Sequence, residues 1–341
     1  MPLRLVASDR FADHVTPPGH PERPERAEVF DTIASRWVGR GATHVQPRAA
    51  TREDLLRVHD AGSVDSLAAT AGRAAALDPD TYTSPDSYDV ALLAAGAACQ
   101  AVDCALDGGG PGVALVRPPG HHAERHRAMG FCLFNNVAVA AAYARAALEV
   151  PRVAVVDFDV HHGNGTQWMF YGDPTVMYVS THQFPFYPGS GSAGEIGRGP
   201  GVGFTVNVPL EAGATDADYD LVFRALVVPV LEAFAPDLLI VSAGYDAHHR
   251  DPLAGMRVST EGFAAMAGHL RGLAERRCRG RLAVITEGGY DLPALADGLE
   301  VTLEAMNGRL TTPAPIHGDS ARAREAVGVV GQILQPYWPT L

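Results

Sequence analysis

Four short apolar runs punctuate the chain: GVALV at 112–116, RVAVVDFDV at 152–160, DLLIVSAG at 237–244 and RLAVITEGG at 281–289. Each is rich in Val, Ile or Leu and continuous rather than alternating, the pattern of a strand buried on both faces. Between them lie alanine-rich stretches of helical character: NNVAVAAAYARAAL at 135–148, DYDLVFRALVVPVLEAF at 218–234 and EGFAAMAGHLRGLAERR at 261–277. Ala, Leu, Arg and Glu at this density favour helix. Further strands are predicted at TVMYVS, 175–180, and around FTVNV, 204–208. Strands alternating with helices imply an α/β fold, a parallel sheet with helices on both faces.

The segments that follow the four runs are polar: RPPGHH, DVHHGNG, YDAHHRDP and GGYD. In an open parallel sheet the carboxyl ends of the strands share one edge, where ligands collect. Four distant segments are therefore expected to converge on one site.

In DFDVHHGNG, side chains alternate faces along a strand, so Asp157, Asp159 and His161 are predicted to point the same way. An Asp and a His presented together suit a divalent metal, although an Asp at a strand end also commonly caps the next helix. The glycines of His162-Gly163-Asn164-Gly165 let the backbone approach a ligand closely. Asp246, just past DLLIVSAG, is a candidate third ligand or a turn cap. A catalytic metal site of this kind needs about three protein ligands and one open position.

His121 and His122 follow RPPG. In an extended segment adjacent side chains point in opposite directions, so both cannot easily bind one metal; one can face the metal-bound water while the other takes a second position beside it. Histidine pairs recur as His161-His162 and His248-His249, the last in a charged loop and expected to be solvent-exposed. Tyr290, after two glycines, is either a packed tyrosine or a phenol that donates to a developing oxyanion.

Composition narrows the field. The chain has 341 residues, 47% hydrophobic and 19% charged, and shows no linker that would divide residues 1–341, so one large domain is expected;. The formal charge of −12 argues against nucleic-acid binding;. It would attract cationic substrates, or simply keep the protein soluble. Cys99, Cys104, Cys132 and Cys278 form no CxxC pair and read as reduced thiols;. With no signal-peptide core in MPLRLVASDRFADH and no uninterrupted apolar run of membrane-spanning length, a cytoplasmic protein is expected;.

Taken together, HPERPER (20–26), RPPGHHAERHRAMGFCLFNN (117–136), DFDVHHGNGTQWMFY (157–171), SAGYDAHHRDPLAG (242–255) and TEGGYD (286–291) resemble the histone deacetylase family. The likeness is to its class II branch and to bacterial histone deacetylase-like amidohydrolases, and runs in order from about residue 14 to about residue 300. It implies the three-layer arginase/deacetylase fold, with a parallel sheet of eight strands. It also implies zinc, or in the cell iron(II), bound by Asp159, His161 and Asp246.

By the same resemblance His122 is general base and then general acid, His121 stabilises charge, Asp157 orients His121, and Tyr290 steadies the oxyanion. Asn164 stands where many class I members carry an Asp. Phe131 and Tyr187 map to the channel walls, Gly130 to its narrow part and Arg26 to an acetate exit. A structural potassium ion would use Asp157, Asp159, His161, Ser180 and Thr181.

The related ureohydrolases hold two manganese ions with extra aspartates. SAGYD offers only Asp246, which favours one metal. The implied substrate is an acyl-lysine peptide or protein. An acetylpolyamine amidohydrolase is the competing reading, and because that group often dimerises, a homo-oligomer stays open. Leu253 stands at a rim position where a polyamine-selective enzyme could carry an acid, though Glu22, Glu25 or Asp86 could reach the entrance. A catalytically inactive binding protein is disfavoured, since every expected ligand, both histidines and the tyrosine are present.

Overall fold

The computed structural model describes residues 2–108, 110–308 and 313–339. Its strands are β1 (Arg4–Val6), β2 (Thr43–Val45), β3 (Ala75–Ala76), β4 (Tyr82–Thr83), β5 (Gly112–Ala114), β6 (Val153–Asp157), β7 (Val176–Gln183), β8 (Thr205–Leu210), β9 (Leu238–Ala243) and β10 (Leu282–Thr286). Eight of them form one sheet in the order β2-β1-β5-β10-β9-β6-β7-β8. Every pairing in it is parallel. β3 and β4 make a separate antiparallel hairpin. The expected α/β architecture, an eight-stranded parallel sheet between helical layers, is the one observed.

The continuous apolar runs become central strands because both faces of the sheet are covered. Along β6, Ala154 and Val156 pack into one core with Leu239, Val241, Phe263 and Leu270. Val153 and Val155 enter the opposite core with Leu238, Ile240, Val90 and Val137. Alternate side chains thus feed alternate layers, and polar residues have no face to occupy.

The helices at Ser87–Leu106 and Asn136–Ala146 cover the second face, while those at Glu25–Gly39, Thr260–Arg277 and Leu292–Met306 cover the first. Helix Ser87–Leu106 is long and apolar enough to cross a membrane, but most of it is buried in the core.

Three details depart from the sequence expectation. The stretch predicted as one helix over 218–234 is helical at Asp216–Val222, widens into a π-turn at Phe223–Val227 and resumes at Val228–Phe234. Pro229 supplies the reason, since it has no N–H for the ladder and its ring crowds the carbonyl four residues back. β7 extends past Ser180 to Gln183 because β8 pairs with it along that length. β1 and β2, three residues each, carry too short a pattern to be foreseen.

The strand order matters most for the site. The chain passes from β5 to β6 leaving two places between them, later filled by β9 and β10. The four motif-bearing strands are therefore neighbours, spanning roughly 14 Å at about 4.8 Å per strand. RPPGHH, TEGGYD, SAGYD and DFDVHHGNG leave the same edge side by side.

Candidate active site

Asp159, His161 and Asp246 converge at that edge, with one ligand atom of each within 4.8 Å of the others, all buried. His161 Nδ1 lies 3.2 Å from Asp159 Oδ1 and 3.1 Å from Asp246 Oδ2. The carboxylates are aimed by backbone: Asp159 Oδ2 accepts the Gly288 N–H at 2.8 Å, and Asp246 Oδ1 accepts the Val160 N–H at 2.9 Å. Burial opposes charge on His161, yet the two carboxylates outweigh it and hold the imidazole proton up to about 10. Burial and the charge of Asp159 push Asp246 up to about 7. Two carboxylates and one imidazole, crowded and lacking any Lys or Arg partner among the described residues, are a donor set that fits a divalent cation.

The route to this geometry differs in part from simple strand alternation. β6 ends at Asp157, and Asp159 and His161 lie on the bent segment beyond it. Asp157 still faces the site, where its Oδ2 accepts from His121 Nδ1 at 3.0 Å and from the Tyr178 hydroxyl at 3.0 Å. His162 turns away, between Ser190 and Gln167, and braces the loop that carries the channel wall.

The tandem histidines do not splay apart as an extended segment would require. Residues 121–122 form a turn, and the two rings lie side by side with centroids 4.1 Å apart. His122 Nδ1 is 2.8 Å from Asn164 Oδ1. The Asn164 amide N–H donates to Glu124 at 2.7 Å, which fixes its carbonyl toward the histidine. Nδ1 must therefore carry the proton, leaving the Nε2 lone pair free. Burial, then the neighbouring His121 and His161, hold the His122 pKa well below 6.5. His121 is also buried, but Asp157 and Asp159 outweigh that and raise its pKa well above 6.5.

His122 and His161 line a cavity of about 180 Å³ together with Asp80, Gly130, Phe131, Phe186, Tyr187, Leu253 and Tyr290. Gly130 has φ +58°, and a Cβ there would stand 2.6 Å from the His122 ring, so the residue that narrows the channel has to be glycine;. The walls are Phe131, edge-on to Tyr290 at 5.8 Å, and Tyr187, edge-on to His122 at 5.1 Å. Phe186, which sequence reasoning missed although it adjoins Tyr187, stacks on His161 at 5.4 Å.

Tyr290 is buried, its backbone N–H donates to Asp251 Oδ2 at 2.7 Å, and burial holds its phenol well above 10, so it keeps its O–H. Arg26 donates from Nε to the Gly289 carbonyl at 2.8 Å, with its guanidinium 5.1 Å from the Tyr290 ring centroid. A Cβ at Gly288 would sit 2.3 Å from an Asp246 oxygen, so the loop approaches the carboxylates only as glycine.

Two expectations are corrected. His248 is buried, with only His249 exposed, because the His248 ring stacks on Phe263. Glu22 does not reach the entrance: it is fully buried, held by Arg117 at 2.8 Å and Arg26 at 3.0 Å. The acid that lines the channel is Asp80, on the β3–β4 hairpin loop. Neither Glu25 nor Asp86 lines it.

The histone deacetylase domain family matches residues 20–306. An uncharacterized protein of Synechocystis sp. is 42% identical over 309 residues, covering 89% of this chain and 99% of its own. A probable deacetylase of Archaeoglobus fulgidus is 38% identical over 84% of this chain and 81% of its own. A human polyamine deacetylase, HDAC10, is 38% identical over 94% of this chain and 50% of its own. The crystal structure of the HDA15 HD domain superposes with a TM-score of 0.91 at 37% identity, covering 99% of this chain and 95% of that one. The chain belongs to the histone deacetylase family.

Proposed function

We propose that the protein is a zinc-dependent amidohydrolase that removes acetyl or a related acyl group from the side-chain nitrogen of acyl-lysine. The observation that carries this reading is that His122, with its Nε2 free, and the phenol Tyr290 line one narrow cavity together with His161, which clusters with Asp159 and Asp246. Zinc, or iron(II) in the cell, held by those three side chains would polarise the acyl carbonyl and acidify water.

His122 takes the proton of the attacking water at Nε2, and Asn164 supports the charge that then develops at Nδ1–H. Tyr290 donates its hydroxyl hydrogen to the oxyanion of the tetrahedral intermediate. His122 returns the proton to the leaving amine as the C–N bond breaks. His121, held cationic by Asp157, adds positive charge beside the developing anion. Phe131 and Tyr187 leave room for a thin aliphatic chain and exclude water from it.

A structural potassium ion is proposed among Asp157, Asp159, His161, Ser180 and Thr181. The buried Thr181 hydroxyl, which has no hydrogen-bond partner among the described residues, supports it.

Asp80 favours a second reading. Burial and the neighbouring Asp78 raise its pKa, and an acid at the mouth suits either a peptide N–H or the ammonium of an acetylated polyamine. Leu253, apolar at the same rim, supports the peptide. The test is acetate release from an acetyl-lysine peptide beside N-acetylputrescine and N-acetylspermidine. Turnover of the peptide alone upholds the lysine reading, and turnover of the polyamines alone replaces it.

A further inference from the structure

The ladder between β5 and β10 ends at Ala114 and Ile285. Beyond that point side chains of the β10 segment continue it. The Thr286 hydroxyl accepts from the Val116 N–H and donates to the Val116 carbonyl, each at 2.8 Å. Pro118 and Pro119 have no N–H to offer, and the first donors beyond them are Gly120 and His121. Glu287 takes both: its Oε2 accepts the Gly120 N–H at 2.6 Å and the His121 N–H at 3.1 Å, and its Oε1 accepts the Ser242 hydroxyl at 2.8 Å.

Glu287 is fully buried, and its side-chain hydrogen bonds among the described residues all come from uncharged donors. A buried carboxyl is expensive unless its hydrogen bonds are made and useful. Its own backbone opens the Tyr290 loop. Its carbonyl accepts from Arg26, and Gly288, which follows it, donates to Asp159. One side chain therefore joins the loop of the proton donor to the turn of the proton acceptor. Burial pushes the Glu287 carboxyl up to about 7, against the opposing pull of His121. A neutral carboxyl would make the same three contacts, with Oε1–H donating to Ser242.

We propose that Glu287 is a positioning residue for the tandem histidines, fixing the Gly120–His121 backbone and thereby the His122 ring relative to Tyr290. This rests on the amidohydrolase reading above. What the residue supplies is an acceptor geometry. Glu287→Gln keeps it, with the amide carbonyl toward the two N–H groups and the amide N–H toward Ser242. Glu287→Ala removes it and strands two buried donors.

The test compares kcat and KM of the zinc-loaded parent, Glu287→Gln and Glu287→Ala on an acetyl-lysine peptide, with metal content measured and the imidazole rings followed by NMR. Misplacement of a reacting group on the ångström scale costs on the order of 10²-fold, so Glu287→Ala is expected to lose about 10- to 100-fold in kcat with KM and metal stoichiometry held. Glu287→Gln stays near the parent.

A zinc-loaded Glu287→Ala with the parent's kcat, even if less heat-stable, overturns the proposal. So does a Glu287→Gln that falls as far as Glu287→Ala, which would make charge the operative property. If Glu287→Ala does not fold, Glu287→Asp, which withdraws the carboxyl by one methylene, carries the same expectation. A parent that releases no acetate refutes the amidohydrolase reading instead. The ring signals of His121 and His122 then decide the positioning role: displaced in Glu287→Ala and not in Glu287→Gln upholds it, and unchanged in both overturns it.

Discussion

His121 and His122 differ in what faces them. Asp157 accepts the His121 Nδ1–H and keeps that ring cationic, whereas His122 meets the neutral Asn164 and two other histidines and is kept neutral. Environments that push two like groups apart assign the acid and the base. The variant Asn164→Asp places a negative charge on the His122 Nδ1–H, which favours the imidazolium. The acid limb of kcat/KM against pH should then move to higher pH by about 1–2 units, read from a full pH profile. Tyr290→Phe removes the hydroxyl proposed as the oxyanion donor. Its kcat should fall on the order of 10²- to 10³-fold with substrate KM little changed. At this scale much was legible in the sequence. Asp159, His161, Asp246, His121, His122 and Tyr290 follow strand-like runs, and the strand edge gathers them. Asp80 and Glu287 were not legible, because one lies on a hairpin loop and the other reads as a plain polar residue until the β5–β10 pairing sets it against Gly120.

Between elements, buried polar side chains hold the loops that bear the site. His59 joins the start of helix Ala61–Ala68 to the loop at Glu124 and to the cap of helix Asn136–Ala146. Its Nδ1–H donates to the Glu124 carbonyl at 3.0 Å and its Nε2 accepts the Asn135 N–H at 3.0 Å. Only the neutral ring makes both, and burial lowers its pKa to about 4. The unfolded chain takes up this proton below about 6.5 and the folded protein only below about 4;. Unfolding therefore binds a proton inside that window, so stability is full above it and declines as pH falls through it. The gap amounts to about 3 kcal/mol. Thermal unfolding followed between pH 7 and 4 should show this decline, and His59→Gln should flatten it. The helix–strand order was readable from the four apolar runs. The π-turn before Pro229 was not, because the apolar period continues straight through it.

Across the whole molecule the formal charge is −12, and Asp78 and Asp80 stand at the channel hairpin. A field of that sign draws cationic substrates and fades with ionic strength. For a lysine-rich acetylated peptide, kcat/KM should fall severalfold as salt rises from about 20 to 300 mM, while a neutral acetyl-lysine analogue changes little. The order of strands supplies the rest of the function: late strands β9 and β10 inserted between β5 and β6 bring four separate motifs onto one edge. That order leaves no mark in a linear pattern of apolar runs, although the run of motifs already resembled one family. The most direct measurement is a zinc titration of metal-stripped protein with acetate release from an acetyl-lysine peptide as the readout, beside Asp159→Ala. Activity that rises to saturation at one zinc per chain, and is absent from Asp159→Ala, is the predicted result. A protein that binds one zinc and releases no acetate, or an Asp159→Ala variant that remains active, would contradict it.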